Sequence, residues 1–310
     1  MTTRHTIHLV GPGTRGTRVS GSLLRQLLNV VGDAMQQAVR LRVEGRSTAP
    51  GQSPAWLERA VQFEIVGFET GSTAIVIDAP SLLEAAPQQF SQAELFSPID
   101  PTCTAFDVMN ESLADAMSSD ANSDRYDDVL AGTLENFGRL FQFQIESVSI
   151  DAAQSVMIDA SAIDRIRKTR NLIPAPQRSI IAGTLDEIRH SDRAFKLVLE
   201  GGGSVRGVVT TEAIASRELA RFFGRKVAVE GQAHFRPSGT PLRIDAERLT
   251  EASAADLAVF SAPPMPLGGE LEIKALARTQ GPRSGVAAIF GQWPGDETDE
   301  EFEAAVREIS

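Results

Sequence analysis

Between residues 178 and 252 the chain carries five short alternating apolar runs and one helical stretch, in an order that leaves few folds open. Runs at 180–188, 194–199 and 205–209 are separated by a turn at 190–193 and by Gly201, Gly202 and Gly203. A helical pattern at 212–223 follows, then strands at 226–235 and 242–246 around a turn at 236–241. Period-2 alternation bounded by glycine and polar clusters is the signature of half-buried strands. Three strands, a helix and two strands within about seventy residues is the order of a small Greek-key barrel of the OB type. An SH3-like barrel fits less well, because here the helix falls between the third and fourth strands.

The segment before it predicts an α+β domain over 1–152. A strand at 6–10 leads into a long helix at 20–43, with Leu24, Leu27, Val31, Ala34, Ala38 and Leu41 on one face. A hairpin at 61–66 and 73–78 turns through Gly71 and Ser72. Helices are expected at 104–117 and 123–140, and the alternation of Phe141, Phe143 and Ile145 predicts a closing strand at 141–146. Residues 153–177, with a basic run from Asp164 to Arg170 and the breakers Pro174 and Pro176, read as a linker. The OB-like barrel is expected over 178–252. An Ala/Pro/Gly-rich extended segment with one candidate strand at 271–275, then an acidic tail, completes the chain over 253–310.

With 310 residues and 42% hydrophobic content, the chain has enough apolar material for two cores. It has no apolar run near the roughly 20 residues that span a bilayer, and residues 1–10 lack a signal peptide's apolar centre, so a cytoplasmic location is expected. The single cysteine, Cys103, excludes an internal disulfide framework and a multi-cysteine zinc site, and reads as an inert thiol. A net charge of −11 opposes a wholesale nucleic-acid coat. The charge is uneven: arginines dominate residues 1–60 and carboxylates dominate from Trp293 onward. Those ends either dock on one another, within a chain or between copies, or are two solvated faces.

No motif commits the chain to catalysis. Gly11, Gly13 and Gly16 match a dinucleotide fingerprint in spacing, but Pro12 removes an amide donor and the following strands form a hairpin, whereas the fingerprint needs a parallel βαβ unit. Asp120, Asn122 and Asp124 begin like a calcium loop, yet Arg125 stands where its glycine belongs and Ala131 where its glutamate belongs. Ser123 or Asp124 is read instead as a helix cap. His5, His8, His190 and His234 are too scattered to suggest a metal centre. No catalytic residue, cofactor or metal is expected.

Two binding regions emerge. In an OB-like barrel the loops joining strands one to two and four to five flank the ligand surface. Here they carry Arg189, His190 and Arg193, and His234 and Arg236, the cations that an oligonucleotide would need. A stacking platform is missing from this reading, since Phe195 alternates with the core and Phe222 and Phe223 end a helix. The second region is the tail. Thr298 and Glu301 form a capping box, and Phe302, Val306 and Ile309 fall on one helical stripe behind Ile289, Phe290 and Trp293.

The stretch from Ile289 to Glu301 resembles the C-terminal segments of bacterial antitoxins that neutralise PIN-domain ribonuclease toxins. The resemblance covers about twenty-five residues. It implies a protein partner such as a PIN-type ribonuclease, with Ile289, Phe290, Trp293, Phe302, Val306 and Ile309 as apolar contacts. Asp296, Glu297 and Glu300 would then face basic or metal-site groups of the toxin. The rest of the chain resembles uncharacterised bacterial proteins of the same arrangement, including Gly71 to Thr73 and Phe235 to Gly239. Such antitoxins are usually short and open with a small dimeric DNA-binding domain. This chain has two larger domains and no evident helix-turn-helix, so operator binding does not carry over. The expectation is an antitoxin-like, non-enzymatic interaction protein; the alternative is a nucleic-acid-binding protein using the barrel loops, with an unrecognised hydrolase third.

Overall fold

The computed structural model describes residues 2–14, 16–69, 73–91, 99–189, 193–210 and 216–266. Its first body is a sheet backed by helices. Strand β1 (Thr2–Val10) lies at the centre of a five-stranded sheet ordered β2-β3-β1-β4-β5, with β2 at Glu64–Glu69, β3 at Thr73–Pro80, β4 at Ser147–Asp151 and β5 at Val156–Asp159. Every pairing is antiparallel. The alternation sends Ile7, Leu9, Ile75, Ile77, Val148 and Ile150 to the covered face, all fully buried. The opposite face carries an ion pair of Arg4 with Asp78 at 2.9 Å and a hydrogen bond between His8 and Asp151 at 3.1 Å.

Helix α1 (Gly21–Glu44) supplies much of the cover. Its start is fixed by Ser20, whose side chain accepts from the Leu23 amide, and its end by Gly45 at φ 78°. Leu27, Val31, Ala34, Ala38 and Leu41 are buried as the periodicity predicts, while Leu24 is only partly so. Helix α2 (Ala55–Ala60) and the single turns α3 (Leu82–Ala85) and α4 (Pro87–Phe90) follow the loop and hairpin. Helix α5 (Ala105–Ser118) opens with a full capping box of Thr104 and Asp107, and α6 (Asp128–Glu135) is capped by Asp127. The cap of α6 is therefore neither Ser123 nor Asp124. Ser123 instead donates to Asp115 at 2.7 Å.

Residues 141–146 do not form the expected strand. A 3-10 helix runs over Asn136–Phe143, because Phe137 and Leu140, three apart, both point into the core, and Gln144 at φ 59° ends it. Residues 153–177 are likewise no simple linker. They contain β5, which pairs with β4, and helix α7 (Ala160–Asn171), which buries Ala162, Ile163, Ile166 and Thr169 and carries the basic run on its outer face.

The second body is the barrel. Strands β6 (Gln177–Arg189), β7 (Ala194–Val198), β8 (Ser204–Val209), β9 (Lys226–Phe235) and β10 (Pro241–Glu251) close in the order β10-β8-β7-β6-β9. All pairs are antiparallel except β8 with β10. That is the one-two-three-five-four circuit of an OB-like barrel. Helix α8 (Ser216–Arg221) sits between β8 and β9, as the sequence order requires. Ile181, Leu185, Leu197, Val229 and Ile244 fill the interior with Phe195. Gly207 faces Phe195 across the β7–β8 ladder, and a Cβ there would stand 2.2 Å from the ring, so only glycine fits.

The two bodies keep separate cores, yet residues Met1–Leu267 form one compact unit. The expected extended segment opens with a helix, α9 (Ala254–Phe260), capped by Ser253 and Asp256. A second unit comprises Gly268–Ser310. No described helix is long and apolar enough to cross a membrane.

Candidate functional site

Of the two barrel loops that the sequence pairs, the β9–β10 turn is described in full and the other only at its ends. The β9–β10 turn folds back on itself, with the Arg236 amide donating to the Thr240 carbonyl at 2.9 Å and Gly239 at φ 80°. It is also docked on the first body, since the Ser238 amide donates to the Ala121 carbonyl at 3.0 Å. Arg236 is half-buried, its Nη1 donates to the Pro241 carbonyl, and its Nε makes no hydrogen bond among the described residues. Burial pushes its guanidinium below the usual arginine range, with Asp124 opposing and Arg206 assisting. Arg189 is exposed at the end of β6, Arg193 takes a left-handed conformation at φ 55°, and His190 lies outside the described residues.

His234 belongs to a line of polar groups that joins the two bodies. Its Nε2 lies 3.1 Å from Oδ2 of Asp245, whose Oδ1 accepts from Nε of Arg243 at 2.9 Å. The Arg243 Nη1 reaches Oδ2 of Asp127 at 3.1 Å, and the Ser47 hydroxyl donates to the same oxygen at 2.8 Å. The other Asp127 oxygen accepts the Leu130 amide at 3.0 Å and so caps α6. One carboxylate thus starts a helix in the first body and anchors an arginine of the barrel. Burial works to raise the Asp245 carboxyl, but the hydrogen bond from His234 and the charge of Arg243 outweigh it and hold it below its ordinary value. His234 is thus tied into the seam through Asp245, while the side chain of Arg236 bonds within its own turn.

Beside that seam a cleft of about 810 Å³ opens between the C-terminal end of α1 and the β7–β8 face of the barrel. Leu41, Val208 and Leu242 contribute apolar lining, and among its charged groups Lys196 pairs with Glu187 at 2.8 Å and Arg206 with Asp124 at 3.2 Å. Phe223 also lines it and is 60% exposed. The sequence placed Phe222 and Phe223 together at a helix end, but they diverge: Phe222 packs on the barrel core and Phe223 faces the cleft. The cleft thus has a base-sized aromatic surface that the alternation pattern concealed, because both rings lie beyond the last residue of α8.

The remaining motifs resolve into structure. The Gly13 amide donates to the Gln144 carbonyl at 3.0 Å, and a Cβ on Gly13 would fall 1.8 Å from the Phe143 carbonyl oxygen, so this glycine allows two backbones to touch. Burial, with help from Asp107, pushes the Cys103 thiol up to about 12, which keeps it protonated and unreactive at neutral pH. His5 is buried between the Thr104 hydroxyl at 2.9 Å and the Asp151 carbonyl at 3.2 Å and stacks on Phe106. Among the described residues no cluster of His, Cys, Asp or Glu is arranged to hold a metal ion.

The proposed tail contacts, Ile289, Phe290, Trp293, Asp296, Glu297, Glu300, Phe302, Val306 and Ile309, and the strand expected at 271–275 lie outside the described residues. Comparison with family models, with curated proteins and with solved structures found no match.

Proposed function

We propose that this chain is a non-enzymatic, antitoxin-like interaction protein whose C-terminal tail binds a protein partner of the PIN-type ribonuclease class. The observation that carries the reading is the division of the chain after Leu267: the acidic, aromatic sequence belongs wholly to the second unit, and the described residues of the first unit build two apolar cores of their own. A recognition element of this kind uses buried aromatic anchors for affinity and charge for steering, roles assigned to Trp293 and Phe302 and to Asp296, Glu297 and Glu300. The test is capture from the native cells with the full chain, with a chain ending at residue 267, and with the Trp293→Ala, Phe302→Ala pair. A small ribonuclease should be recovered and inhibited by the full chain alone. Equal recovery and inhibition by the shortened chain would sink the idea.

A second reading, binding of single-stranded nucleic acid in the cleft, is favoured by one observation, the exposed ring of Phe223 beside the β7–β8 face. Base stacking on such a ring is worth about 1–3 kcal/mol. Phe223→Ala should then weaken oligonucleotide binding by roughly tenfold or more at low salt. An unchanged affinity removes this reading.

A further inference from the structure

Three arginines, Arg139, Arg167 and Arg170, line a polar cavity of about 460 Å³ between α7 and the segment formed by α6 and the 3-10 helix. Arg167 donates through Nε to Glu135 at 2.6 Å and through Nη1 to Asp164 at 3.0 Å. Arg170 donates through Nε to Asp128 at 2.9 Å and through Nη1 to the other oxygen of Glu135 at 3.1 Å. These bonds fix both forks while leaving donors unused. The Nη2 atoms of Arg167 and Arg170 make no hydrogen bond among the described residues, and neither does the side chain of Arg139.

The backbone is shaped around this arrangement. A Cβ at Gly132 would stand 3.0 Å from the Cζ of Arg170, so the bare surface of α6 lets the guanidinium lie close against the helix. Three guanidinium groups balance three carboxylates here, Glu135 and Asp164 in the lining and Asp128 bonded to Arg170, so the cluster is neutral in a chain of −11 and a ligand would be held by its unused donors rather than by excess charge. Guanidinium carries donors only, and its planar fork matches oxygen pairs, so the unused N–H groups, open to water in the free chain, suit an acceptor-only ligand. A carboxylate offers two oxygens to one fork. A tetrahedral phosphate can present oxygens to three separate ones.

We infer that this cavity is a phosphate-binding site, in which Arg139 and the free Nη2 groups of Arg167 and Arg170 hold the phosphate oxygens. The space exceeds that of one phosphate, and the amides of Asn136 and Gln142 in the lining can bond to the group that bears it. The site lies in the first unit and is independent of the tail reading. The phosphate comes either from a small phosphorylated molecule or from a polynucleotide backbone.

The experiment follows the arginine Nε–Hε resonances of the ¹⁵N-labelled full chain at low ionic strength while inorganic phosphate, or separately a 20-nucleotide single strand, is added. Saturable shifts at Arg167 and Arg170 are expected with phosphate, at least tenfold weaker in Arg139→Gln and also weakened in Arg167→Lys. Saturation by the strand but not by phosphate, with the same losses, assigns the group to a polynucleotide. Arg139 is exposed and its side chain makes no hydrogen bond or ion pair among the described residues, so Arg139→Gln should stay folded. Shifts that chloride reproduces at equal ionic strength, shifts that both variants leave unchanged, or no saturation by either ligand would overturn the site.

Discussion

The seam between the bodies and the outer face of α7 use the same chemistry in opposite surroundings. In the seam an arginine is held between two carboxylates, Asp127 and Asp245; on α7 a carboxylate, Glu135, is held between two arginines. The Arg243 and Asp127 side chains are 8% and 6% exposed, whereas Arg167 and Arg170 are 54% and 38% exposed. Water is the difference. Removing one partner from a dry pair strands a charge, while removing one from a wet pair returns the other to solvent. The seam is therefore committed to structure, and the α7 cluster keeps donors in reserve for a ligand.

The sharpest way to break the contrast is Arg243→Ala, which leaves Asp127 buried and unmatched. It should cost about 3–5 kcal/mol in urea denaturation. Asp245→Asn comes next, at about 2 kcal/mol near neutral pH, the worth of a hydrogen bond to a charged group. Its effect should depend on acidity. Because the folded-state carboxyl titrates below its ordinary 3.8, the stabilisation is complete above that value and is lost as pH falls through the folded-state value. The difference between wild type and variant should narrow in acid and stay flat above about pH 5, as the ordinary carboxylate value dictates. Convergence on raising the pH instead would contradict this assignment.

On the α7 side the effects are smaller. Gly132→Ala should stabilise by roughly 0.5–1 kcal/mol in thermal unfolding, since helix propensity favours alanine and the partly exposed Arg170 can yield a few tenths of an ångström. Arg170→Ala should cost no more than about 0.5 kcal/mol, and added salt should reduce even that. A loss comparable to that of Arg243→Ala would erase the distinction between the two clusters.

The barrel was legible because its apolar runs are short and bounded by glycine and polar turns, and because its helix falls between the third and fourth strands. The first body was less so. Phe141, Phe143 and Ile145 alternate like a strand, but Phe137 and Leu140 impose a helical spacing that the alternation masks. Helix α7 read as a linker because its buried stripe of Ala162, Ile163, Ile166 and Thr169 is narrow and its remaining residues are mostly polar. The candidate sites were hidden for a different reason. Asp127 and Arg243 are 116 positions apart, and no local pattern signals such a pair. One clue was present: Arg243 and Asp245 share a strand face, so a strand otherwise filling a core carries two charges side by side.

The double duty of Asp127 also orders events during synthesis. Its carboxylate is made 116 residues before Arg243, a delay of roughly 6–20 seconds at ordinary elongation rates. In that interval the emerging first body has Ser47 and the α6 amides to satisfy Asp127, but no cation from the barrel. The growing chain therefore passes through a stage in which its sheet and helices are complete in sequence while Asp127 still lacks Arg243. Release from that stage comes with the last strand of the barrel.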